Sequence, residues 1–111
     1  MMGTRLRRLI ACATLAVAPH ATAQDRLDDQ VKVRDFNQIV ALAQPCRYKL
    51  DKRKLQDFAE NVVAKIDAKT RYFEVNAADL AKRDYELGSE TERLALCSLY
   101  RGLSEHYGIA P

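Results

Sequence analysis

The sequence predicts an all-α fold, a small bundle of about four helices closed by one disulfide between Cys46 and Cys97. Three observations carry this expectation. Apolar residues recur at helical spacing in successive segments, no segment alternates cleanly as a half-buried strand would, and two cysteines remain once an N-terminal leader is set aside.

The leader is residues 1–23, which read as a secretory signal peptide. Arg5, Arg7 and Arg8 form a positive start, Leu9 to Ala18 form an uncharged and mostly apolar stretch, and Ala21-Thr22-Ala23 supplies the small residues of a cleavage site. Cleavage there makes Gln24 the first residue of the exported chain and implies a bacterial periplasmic protein. The apolar stretch is far short of the roughly twenty residues a membrane span needs. Leu9-Ile10-Ala11-Cys12 has the residue types of a lipoprotein box, but only three apolar residues separate Arg8 from Cys12, so Cys12 reads as an ordinary leader residue.

Residues 24–30 are polar and read as a flexible N-terminus, leaving 31–111 as a single helical domain. Val33, Phe36, Ile39, Val40 and Ala43 fall at helical spacing, and Pro45 predicts a stop at Gln44. Asp51 is a suitable N-cap for a second helix, whose stripe runs through Leu55, Phe58, Ala59, Val62, Val63 and Ile66. This is the clearest amphipathic pattern in the chain, and it predicts a helix reaching Asp67 to Lys69.

Residues 70–87 are compatible with one helix or with two half-helices. Phe73, Ala77, Leu80, Ala81 and Leu87 can share a face, Asn76 can cap a shorter helix, and Gly88 closes the segment. Ser89-Glu90-Thr91-Glu92 is a capping box for a last helix from Glu90 to about Tyr107. Gly108 then supplies the stop, with Ile109 packing back on Leu103.

Charge and cysteine content both change once the leader is removed. The full chain carries +3, but Arg5, Arg7 and Arg8 precede the first acidic residue. Removing these three from eighteen cations leaves fifteen against fifteen acids, a net charge of zero. A neutral chain lacks the positive field that displaces counterions from nucleic-acid phosphates, so no nucleic-acid partner is expected. In an oxidising compartment Cys46 and Cys97 pair, closing a loop of 52 residues. A crosslink of that length stabilises by up to about 4 kcal/mol in the loop-entropy model, which matters for a domain too small to bury a large core.

No catalytic set is legible. His106 is the one histidine after cleavage, and it suits the dipole of a helix C-terminus. Ser104 lies two residues away and so faces elsewhere. Asp84/Glu86 and Glu90/Glu92 are next-but-one neighbours on helix surfaces rather than carboxyls facing across a cleft. No metal-ligand spacing is present, and no cofactor is expected.

One charge anomaly stands out. Arg47, Lys49, Lys52, Arg53 and Lys54 place five cations in eight positions, with Tyr48 among them and Asp51 the lone acid. Lys52, Arg53 and Lys54 occupy a first helical turn, where the dipole disfavours positive charge. A solvated loop accounts for the run; so does an electropositive patch anchored by Tyr48, which would bind an acidic envelope protein, anionic lipid or a cell-wall polymer. The expected role is therefore a protein-interaction module, serving as accessory, inhibitor or subunit of an envelope assembly, and not an enzyme.

The layout also resembles the HdeA-type acid-stress chaperones in size, helical class and a single long-loop disulfide. That resemblance implies a periplasmic stress chaperone whose fold loosens at low pH and exposes apolar surface.

Overall fold

The computed structural model describes residues 22–111, so the leader expected over 1–23 lies almost wholly outside the described residues. Five helices follow one another: α1 (Ala23–Cys46), α2 (Lys52–Asn61), α3 (Ala68–Phe73), α4 (Ala77–Leu87) and α5 (Glu90–His106). α3 is a short six-residue piece, so the fold is the expected all-α bundle of four longer helices, with no strand among the described residues.

α1 is the axis of the fold. α4 runs alongside it in parallel, with Asn37 Nδ2 donating to Glu74 O (3.1 Å) and the Tyr85 hydroxyl to Pro45 O (3.3 Å). α5 runs antiparallel, as Tyr107 donates to Asp35 (2.7 Å), Tyr100 to Gln38 (2.8 Å), and Cys97 bonds to Cys46. Burial follows from this arrangement. Ile39 and Leu42 of α1 are fully enclosed, with Ala81, Tyr100 and Ile109 closing around them. The Cys46–Cys97 crosslink, with its Cα atoms 5.2 Å apart, pins the end of α1 to the middle of α5.

α1 departs from expectation at both ends. It starts at Ala23, not Val31, because Thr22 and Asp25 form a capping box that starts the helix eight residues before Val31. It also runs through Pro45 to Cys46. Proline in a last turn removes one donor only, and the turn is closed beyond it. Arg47 N–H donates to Gln44 O and Tyr48 N–H to Ala43 O, both at 3.2 Å, the Schellman pair that needs a left-handed residue between helix and connector. Arg47 is that residue, at φ 59°.

The second stripe is correct in position and overextended as a helix. α2 stops at Asn61, and Val63–Lys65 form a single 3₁₀ turn that still delivers Ile66 into the core. Adjacent β-branched Val62 and Val63 lose rotamer freedom in a helix, so the chain tightens there. Residues 70–87 divide into two helices broken at Glu74–Asn76. Asn76 stands at the capping position of α4 but makes no side-chain capping bond. Of the five residues expected to share a buried face there, only Ala77 and Ala81 are buried; Phe73, Leu80 and Leu87 are exposed.

α5 forms as its sequence predicts. Glu92 N–H donates to Ser89 Oγ and Ser89 N–H to Glu92 Oε1, both at 3.2 Å. Gly108, at φ 70°, sits between Gly108 N–H→Glu105 O and Ile109 N–H→Ser104 O, each 3.0 Å, which is the same Schellman pair. Ile109 is buried beside Leu103.

Candidate functional site

The basic run is divided by the fold. Tyr48, expected as an exposed aromatic anchor, is a core residue with 8% of its surface exposed, and its hydroxyl donates to Ile39 O. The Schellman turn is the reason: with Arg47 left-handed, the next side chain is turned back onto α1. Burial also pushes the Tyr48 phenol well above its ordinary pKa. An interface built on Tyr48 is therefore excluded.

The cations go to four places. Lys54 donates to Ala110 O at 3.2 Å, and its N–H is held by the Asp51 cap at 2.9 Å, so it ties α2 to the segment after α5. Lys52 lines a groove between α1, α2 and α4. Arg53 is exposed. Arg47 and Lys49 remain at the end of α1, and there the structure brings in a residue that the linear sequence did not single out.

Arg101 of α5 joins Arg47 and Lys49 around a cleft of about 340 Å³, together with Ser104 and Glu105. The three cations come from α1's terminus, the connector and α5. Glu105 and the backbone carboxylate of Pro111 offset them at the rim. Ser104 does not compete for a ligand, because its buried hydroxyl donates to Arg101 O at 2.6 Å. A signal for Arg101 existed: it lies four residues after Cys97 on the same helix face, and the disulfide sets that face against Arg47.

Beyond Arg101 the same face continues into a second concavity of about 680 Å³, lined by the disulfide, Ser98 and Leu94. Leu94 is 67% exposed, so this face carries a large unpartnered apolar side chain where Tyr48 does not. Arg93 contributes no free charge, because it spans the α4–α5 turn, donating to Tyr85 O (2.7 Å) and Glu86 O (2.8 Å). The arrangement can attract an anionic surface and bury one apolar contact within it.

Other candidate chemistry is dispersed. His106 lies exposed in the last turn of α5, edge-on to Tyr107 at 5.2 Å. Asp84, Glu86, Glu90 and Glu92 are all exposed, and Glu92 is committed to the cap. Among the described residues no group of three or more His, Cys, Asp or Glu gathers to hold a metal, and no helix is long and apolar enough to cross a membrane. Comparison with protein families, curated proteins and solved structures returns no match.

Proposed function

We propose that this chain is an exported, periplasmic module that binds the acidic surface of another envelope protein through Arg47, Lys49 and Arg101, with Leu94 as the apolar anchor. The observation that supports it best is the convergence of those three cations, from separate parts of the chain, beside an exposed leucine. A neutral chain that concentrates charge on one face gains steering toward an opposite field without general stickiness. An anchor ringed by polar groups is the usual form of a binding surface. The leader reading supports export, and the disulfide suits an oxidising compartment.

Crosslinking in the native envelope followed by mass spectrometry tests this. The expected result is a specific partner captured by the native chain and lost when Arg47, Lys49 and Arg101 are all replaced by glutamate, with helicity unchanged. Capture that survives the triple charge reversal removes this face from the mechanism. Export is checked separately, since the mature protein should begin at Gln24.

A second reading, a periplasmic stress chaperone, is favoured by one observation. Tyr72, Phe73 and Val75 expose more than half their surface around the break between α3 and α4, a short apolar edge suited to client chains. Suppression of client aggregation at pH 2–3, abolished by Phe73→Ser with Tyr72→Ser, is the expected result. A protein that protects nothing at that pH excludes it.

A further inference from the structure

α2 is the most amphipathic helix among the described residues, yet none of its residues is fully buried. It touches α1 chiefly through Phe58, whose ring stacks on Phe36 at 5.7 Å and meets Tyr107 edge-on at 5.5 Å. Toward its N-terminus it stands away from α1. A groove of about 820 Å³ opens there, with α1 as its floor and α2 and α4 as its walls.

The groove has a chemical polarity. Phe36 and Val40 on the floor, Leu55 and Ala59 on one wall and Ala78 on the other give it a mostly apolar lining. Within it Asn37 and Gln56 are tied up by bonds to Glu74 O and Glu60, and Gln44 is the remaining neutral polar side chain. Lys52 and Lys82 stand on opposite walls toward its Pro45 end, Lys82 one turn before the tyrosine that bonds Pro45 O. Neither ammonium meets a carboxylate or an acceptor among the described residues, in contrast to Lys54. Glu86 shares that end, leaving a net positive charge of one. Lys52 also occupies the first turn of α2, where a cation is disfavoured and no intramolecular contact compensates it.

We infer that this groove binds a free single-chain amphiphile with an anionic head, a medium-chain carboxylate, with its head between Lys52 and Lys82 and its tail along Val40 and Phe36. From Phe36 to Pro45 the floor of α1 spans about 14 Å, the reach of roughly a ten-carbon chain. An apolar cleft with a few convergent polar groups at one end is the form that small-molecule sites take. The site does not depend on the basic face of Arg47, Lys49 and Arg101.

Titration of the folded, disulfide-bonded protein with dodecanoate below its micelle concentration, followed by calorimetry and amide NMR, tests the site. The expected result is one saturable site with shifts centred on Val40, Leu55 and Ala78. Dodecyltrimethylammonium, with the same tail and a cationic head, should bind at least tenfold more weakly. Lys52→Glu with Lys82→Glu should weaken dodecanoate at least tenfold, and Val40→Asp should abolish binding. Lys52→Glu places an acid in the first turn of α2, so a folded, no less stable variant that loses the ligand separates binding from folding. Three outcomes overturn the proposal: no saturable binding of dodecanoate, binding indifferent to the lysine replacements, or a Val40-dependent dimer in sedimentation, which makes the groove an interface between copies.

Discussion

Arg47 holds φ 59° so that the turn after α1 can close, and a residue with a Cβ is strained there by about 1–2 kcal/mol. Gly108 takes the same position after α5 without that strain. Arg47→Gly should therefore raise stability by about 0.5–1 kcal/mol, after allowing for glycine's larger entropy loss, and thermal melting will show it. The same variant should weaken partner capture, since the guanidinium that strains the turn belongs to the basic face. Glu92 supplies a residue-scale dependence on pH. Accepting the Ser89 N–H holds its carboxyl below the ordinary carboxylate value. Its folded pKa is thus below the unfolded one, so its stabilisation is present at neutral pH and lost as pH falls through the carboxylate range. Glu92→Ala should lower the melting temperature at pH 7 and leave it unchanged near pH 2.

At the scale of elements, two glycines give opposite expectations. Gly102 lies exposed within α5, and a Cβ built there meets nothing within 4 Å. Gly102→Ala should stabilise by about 1 kcal/mol through helix propensity alone. At Gly88 a Cβ would approach Asp84 O to 2.9 Å, so Gly88→Ala should destabilise by forcing the tight α4–α5 turn apart. Urea denaturation of both variants checks the pair. Sequence read the helices unevenly for a physical reason. α5 has a capping box, a clean stripe and a glycine stop, all local signals, and it formed as expected. α2's stripe described which residues face inward but not where the helix ends, because a 3₁₀ turn can keep Ile66 on the same side. Leu80 and Leu87 fit a helical face equally well, but which face meets α1 is a tertiary matter, and here it is the alanine face.

For the whole molecule, the Cys46–Cys97 bond joins the two helices that enclose Ile39 and Leu42. Replacing both cysteines by serine should cost up to about 4 kcal/mol, near the total stability expected of so small a domain. Circular dichroism of the double variant should show a much lowered melting point, or an unfolded chain at 37 °C. The proposed export carries a structural consequence: cleavage after Ala23 would remove Thr22, the residue whose hydroxyl and N–H form the capping box of α1. Residues 24–28 are exposed, with Asp29 and Gln30 only half-buried, so this stretch gains little from packing. In the processed protein this first turn should fray, and hydrogen exchange there should be fast up to about Val31 and slow beyond it.

The sequence by itself determined the helical class, the disulfide pair, the caps at Asp51 and Ser89 and the glycine stop at Gly108. Each follows from interactions spanning a few residues, or from having two cysteines to pair. Only the tertiary structure decided that Tyr48 is core, that α2 stands off α1 to open a groove, and that Arg101 completes the basic face with Arg47 and Lys49. Those outcomes depend on which faces meet across distances of 40 to 62 residues along the chain, as the Tyr85–Pro45, Lys54–Ala110 and Tyr100–Gln38 bonds show. Periodicity marks which side of a helix is apolar, and packing decides what that side touches.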